Sequence, residues 1–228
     1  LVITIFGGTP SSNAPLSPFA QRIHSEMGLA SLSTNEVVAK RHKEDAAALD
    51  FLQVDYLWLK YPDAIYRGNP PYYTQQDQLI GGHVHPSDMW IDKQLAQDLL
   101  TLQERLPDTV WYAPLGVGRH VDHQLVCSAA DRLIQRGAKV NFYEDFPYIL
   151  QEDALEARQR ELAISLEPAL VEISEMLPLR TQAANLYASQ ITLNFASKET
   201  MHMKMKDYTH SIRPVETVHL ERYWTNRY

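Results

Sequence analysis

A strand signal at 109–113, TVWYA, runs through PLGVGRHVDH into an amphipathic helix carrying Leu125, Ala129 and Leu133. That helix stops at Gly137, and a second strand, KVNFYE (139–144), follows at once. This unit constrains the fold more than any other feature, because two strands joined through a helix pair in parallel with a crossover of fixed hand. The alternation extends upstream. Ser33 and Glu36 have capping-box spacing at the head of a helix over 33–52, and VDYLWL (54–59) reads as a strand. A helix over 88–106 puts Leu95, Leu99, Leu102 and Leu106 on one stripe. The predicted fold class is α/β, a mostly parallel sheet with helices on both faces. With no repeat and no linker, 1–228 reads as one domain.

Residues 9–20 read as a Pro/Ser-rich loop and 61–77 as a long surface loop, since Pro, Gly and Asn interrupt any regular period there. Helices are expected over 152–164 and 180–195, with a short strand at 169–173 between them. MHMKMK (201–206) alternates apolar and basic residues and reads as an exposed strand or loop, and VETVHLERYW (215–224) as a final strand. A net charge of −7 argues against nucleic acid as partner. The lone cysteine, Cys127, cannot form an internal disulfide and is expected to be a buried structural thiol. No apolar run reaches membrane-spanning length and no signal-peptide pattern is present, so a cytoplasmic location is expected. Homo-oligomerisation is left open.

The segment Gly116-Val117-Gly118-Arg119-His120-Val121-Asp122-His123 lies between a strand and a helix. Ligand sites in open α/β sheets collect at such places. Two histidines with an aspartate between them can serve a metal, one imidazole binding it while the other stays available as a donor. The structural alternative is that Asp122 caps the helix and both histidines are solvated. Spacing alone does not separate the two. Elsewhere, Arg41 and Glu44 share a helix face, Asp63 follows a strand, and His83 and His85 sit beside Gly81-Gly82 in what reads as a lid or a solvated loop.

Over most of its length the sequence resembles the LmbE-like, or PIG-L, family of zinc-dependent N-acetylglucosaminyl deacetylases. Thr4 to Pro10 resembles that family's second sheet strand and loop, and Arg41-His42-Lys43-Glu44 matches its R-x-x-E. Pro62-Asp63 lies where the family carries an aspartate. GRHVDH (118–123) matches G-x-x-H-P-D-H with Val121 in place of proline. Phe142-Tyr143-Glu144-Asp145 with Phe146-Pro147-Tyr148, Tyr187-Ala188-Ser189-Gln190 and Glu221-Arg222-Tyr223-Trp224 follow in the family's order.

The resemblance implies a single Rossmann-like domain and hydrolysis of an N-acetyl group from an N-acetylglucosamine-type sugar or glycoconjugate. It implies Zn2+ or another divalent metal as cofactor, with His123 as a metal ligand. His120 and Asp122 take the catalytic roles, His120 polarising the amide carbonyl or stabilising its oxyanion and Asp122 supporting it. Arg41 and Asp63 would face the substrate. The family's remaining ligands and general base come from an H-P-D-D motif that this sequence does not contain; His85-Pro86-Ser87-Asp88 lies too late in the order to replace it. The chain opens inside the strand LVITIF, so a further strand and loop carrying that motif are expected ahead of Leu1, and activity is expected to require them. The second reading is an inactive relative that binds a sugar or a protein partner. An NAD-type α/β enzyme or a methyltransferase is a third, weakened by the absence of a G-x-G-x-x-G after the opening strand.

Overall fold

The alternation of strands and helices leads to parallel pairing through helical crossovers. The computed structural model describes residues 1–10, 16–215 and 217–226. Within them the chain divides into two compact units, Leu1–Thr74 with Glu172–Glu221, and Gln75–Val171 with the C-terminal segment from Arg222.

In the first unit, β1 (Val2–Thr4) pairs in parallel with β2 (Tyr56–Trp58), in the register Val2 to Tyr56 and Thr4 to Trp58. The connection carries α1 (Pro18–Glu26) and α2 (Thr34–Phe51). The Ser33–Glu36 capping box is present in both directions: the Ser33 hydroxyl accepts from Glu36 N–H, and the Glu36 carboxylate accepts from Ser33 N–H at 2.8 Å. The unit is completed by α7 (Leu177–Ala184), α8 (Ala188–Phe195) and α9 (Lys198–Ser211).

The second unit opens with α3 (Gln76–Leu79) and α4 (Met89–Arg105). β3 (Val110–Pro114), α5 (Val121–Ile134) and β4 (Lys139–Tyr143) then form the crossover read from the sequence, with β3 and β4 parallel and Ala113 opposite Phe142. α6 (Ala154–Glu161) follows. β5 (Leu166–Glu172) and β6 (Leu220–Asn226) complete a four-stranded sheet in the order β3-β4-β6-β5, with β6 antiparallel to β4. α5 packs on α4 and on β3 and β4. Leu95, Leu125, Leu133, Val140 and Phe142 are all essentially inaccessible, and each such side chain contributes roughly 1.5–3 kcal/mol by leaving water. The expected α/β class is present.

Several local expectations are corrected. MHMKMK is helical, inside α9, because Ser197 caps the helix and Met201 and Met205, four apart, are the buried pair; the period of two was an accident of Met203 lying on the exposed side. The 61–77 segment is not a surface loop throughout. Tyr61, Ala64, Ile65 and Tyr73 are buried, and the buried Arg67 guanidinium lies over the Phe6 and Tyr73 rings at 5.2 and 5.5 Å. The 9–20 loop ends sooner, since Ser17 caps α1 with Pro18 in its first turn, and residues 11–15 lie outside the described residues. The helix expected over 180–195 is two helices, α7 and α8. The one expected over 152–164 is shorter, at Ala154–Glu161, and the strand at 169–173 begins earlier, at Leu166. In the final strand signal Glu216 lies outside the described residues, and pairing starts at Leu220.

His24 on α1 gives this unit a pH dependence. It is 2 % exposed and shares a 2.7 Å hydrogen bond with the Tyr66 hydroxyl. Burial pushes its pKa below the ordinary imidazole value; Asp63 pulls the other way and Arg41 reinforces the burial. The unfolded chain therefore takes up a proton at a higher pH than the folded one. The stabilisation is present above the ordinary value and is lost as the pH falls through the depressed one. Melting curves at pH 7.5 and 5.5 are expected to show a loss of stability on acidification that is smaller in His24→Gln, whose amide can still bond Tyr66.

Candidate active site

Two constellations emerge, one in each unit. In the second, β3 delivers the chain into a tight turn in which Gly116 and Gly118 take left-handed φ values of 83° and 75°. At Gly118 a side chain is also excluded by contact, because a Cβ there would lie 2.5 Å from Tyr148 Cβ. Arg119 adopts φ 57°, unusual for a residue with a side chain. Its guanidinium donates to Glu161 at 2.8 Å and to His83 Nδ1 at 2.9 Å, and its carbonyl accepts from the Gln124 amide at 2.7 Å. Gly81 N–H donates to Gly118 O at 3.0 Å and the Gln124 amide to Gly82 O at 3.0 Å, so the 81–83 segment is tied to this turn. His85 caps its own turn by accepting from Ser87 N–H.

His120, not Asp122, is the cap of α5: its Nδ1 accepts from Asp122 N–H at 3.2 Å. A backbone N–H is always the donor, so the neutral ring carries its proton on Nε2. Asp122 sits buried in the first turn. His123 has the opposite arrangement. Its Nδ1–H donates to Asp145 Oδ1 at 2.5 Å, which leaves the Nε2 lone pair on a side chain that is 33 % exposed. The two rings stand 5.1 Å apart, and Tyr148 lies 6.0 Å from His120 and 5.7 Å from His123 between ring centres. One histidine thus offers an N–H and its neighbour a lone pair, the pairing needed to donate a hydrogen bond beside a metal-ligand position.

In the sequence Asp145 and Tyr148 stand out only as members of a motif run. At the end of β4 successive side chains diverge. Glu144 accepts from Arg222 and from Trp224 Nε1 (2.9 Å) on β6, while Asp145 turns to His123. Burial pushes the Glu144 carboxyl up and the Arg222 and Trp224 donors oppose it.

The first unit holds the other constellation. Arg41 donates to Asp63 Oδ2 at 2.7 Å, and Asp63 Oδ1 accepts from Ile65 N–H. Glu44, which shares the helix face of Arg41, is buried and accepts from the Ser189 hydroxyl at 2.6 Å. Asp45 accepts from Thr4, Trp58 and Tyr187. The R-x-x-E and Y-x-S-Q segments therefore bind one another. Arg41, His42, Asp63, Tyr66, Tyr187 and Gln190 line a pocket of about 170 Å³. His42 stacks on Trp58 at 4.2 Å and donates from Nε2 to Gly7 O.

Cys127 is buried as expected, and burial pushes its thiol up, which keeps it protonated and unreactive. No helix among the described residues is long and apolar enough to cross a membrane.

No protein-family model matches the chain. It is 31 % identical over 202 residues to the 2'-N-acetylparomamine deacetylase of Niallia circulans, an alignment covering 83 % of this chain and 72 % of that protein. It is 38 % identical over 86 residues to the Streptomyces fradiae protein of the same name, covering 36 % of this chain and 30 % of that one. Among solved structures it is similar to the zinc-inhibited form of teicoplanin deacetylase Orf2, with a TM-score of 0.80, 26 % identity, and coverage of 98 % of this chain and 85 % of that chain.

Proposed function

We infer the function from one premise: the chain belongs to the LmbE-like, or PIG-L, deacetylase family. The reading is metal-dependent hydrolysis of the N-acetyl group of a 2-acetamido sugar within a glycoside or glycoconjugate. The observation that carries it is the pair of histidines held in opposite tautomers, 5.1 Å apart, at the strand–helix turn.

His123 suits a metal ligand. A ligating imidazole usually donates its second N–H to a carboxylate, and Asp145 takes that part. Among the described residues no group of three or more His, Cys, Asp or Glu is placed to hold a metal, and His123 is the residue proposed here as a ligand. A divalent metal, when bound, supplies a Lewis acid and an activated water. His120 has a different task. Its Nε2–H can donate to the acetamide oxygen and strengthen that bond as negative charge develops there. The capping bond from Asp122 N–H holds the ring so that it can do this without reorienting. Water adds across the amide C–N bond, releasing acetate and a primary amine on the sugar. Within the first unit, Arg41 and Asp63, fixed to each other at the pocket there, are groups that could hydrogen-bond a sugar hydroxyl.

A second reading is a relative that binds an N-acetylated sugar without cutting it, in which His120 serves to cap α5 and His123 to brace the turn through Asp145. The test is a panel of N-acetylglucosamine, its glycosides, 2'-N-acetylparomamine and an N-acetylated glycopeptide, read by amine formation with and without a chelator. Chelator-sensitive release of equal acetate and amine is expected from at least one glycoside. Binding without release by the full-length protein would favour the second reading.

A further inference from the structure

We propose that Asp145 is the positioning residue of the histidine pair, fixing the tautomer of His123 while the same carboxylate holds the turn that carries His120. This rests on the reading of His123 as a ligand through Nε2. The Asp145 side chain is wholly buried and accepts three donors: Oδ1 takes His123 Nδ1–H at 2.5 Å, and Oδ2 takes Gly116 N–H and Val117 N–H, both at 2.8 Å. Both oxygens are therefore engaged as acceptors. A neutral imidazole owns a single N–H. With that proton drawn to Nδ1 by a buried carboxylate, the lone pair falls on Nε2, the atom a metal would need.

The grip on the turn is part of the same device. Gly116, Gly118 and Arg119 all take left-handed φ, a run that needs outside support. Without Oδ2, the N–H groups of Gly116 and Val117 would lose their hydrogen-bond partner, and a buried donor left unpaired is costly. Arg158 completes the hold by donating to Leu115 O at 2.8 Å. Asp145 thus links, through one rigid group, the ring of His123 to the backbone that places His120.

Asp145→Asn separates this role from packing. The two backbone N–H donors cannot rotate away, so the single amide oxygen must serve Gly116 and Val117. The NH2 group then faces His123, whose Nδ1 becomes the acceptor and whose proton moves to Nε2. Shape is kept and the lone pair is misplaced.

The experiment is ¹⁵N NMR of histidine-labelled full-length protein at about pH 8, above the ordinary imidazole range. In the wild type His123 is expected to be protonated at Nδ1 and His120 at Nε2. In Asp145→Asn the His123 proton is expected at Nε2, with His120 unchanged and zinc affinity lowered by about 10–100-fold. A wild-type His123 protonated at Nε2 would overturn the proposal even if the variant failed to fold. So would a folded Asp145→Asn in which His123 keeps its proton on Nδ1. The tautomers need neither metal nor turnover to be read. Their appearance as stated in a protein that deacetylates nothing would support the positioning role while removing the proposed function.

Discussion

His123→Ala is expected to bring bound metal to background and turnover below detection. A catalytic zinc has three protein ligands and an open position, so losing one removes a third of its protein donors. The substitution also strips a 2.5 Å hydrogen bond from a buried carboxylate, leaving Asp145 Oδ1 without its donor. That is expected to cost about 1–3 kcal/mol of stability. Loss of activity through unfolding must therefore be separated from loss through the metal. His123→Gln does this, because its amide N–H can still donate toward Asp145. A folded, metal-poor, inactive His123→Gln protein is the expected result, checked by metal analysis and a melting curve on the same sample.

His120→Ala should keep its metal and lose turnover by about 10²–10³, the usual effect of deleting one donor to a developing oxyanion. The loss should appear in kcat more than in KM, because the bond from Nε2–H strengthens only as charge builds on the oxygen. Here too a structural effect travels with the chemical one. His120 caps α5, and removing a cap costs about 0.5–2 kcal/mol. His120→Asn restores a capping oxygen but places no donor at the reach of an imidazole Nε2. Its melting temperature should recover toward the wild type while its kcat stays low. Recovery of both would assign His120 to the helix alone.

Much of this arrangement is legible in the sequence where the cause is local. The Ser33–Glu36 box is a contact across three residues, and the β3–α5–β4 crossover follows from periodicity and the Gly137 stop, so both are found where expected. The histidine pair is legible for the same reason: a strand, two glycines and a helix start place it at the carboxyl end of β3. What escaped is what arises from distance along the chain. Nothing near His123 says that its Nδ1 will meet Asp145, 22 positions on. Nothing near Glu44 announces Ser189, 145 positions away. Asp122 reads as a cap because aspartate commonly is one, yet the imidazole two residues earlier has its own acceptor and takes the role. MHMKMK misled because period two and a sparse helical face coincide over six residues, and only the packing of Met201 and Met205 decides between them.

The central claim is a division of labour, with His123 holding a metal and His120 donating to the reacting oxygen. Metal content and amine release, measured together on the full-length wild type, His120→Ala and His123→Ala, test it most directly. The account predicts metal with activity in the wild type, metal without comparable activity in His120→Ala, and neither in His123→Ala. Undiminished metal and turnover in His123→Ala would contradict it.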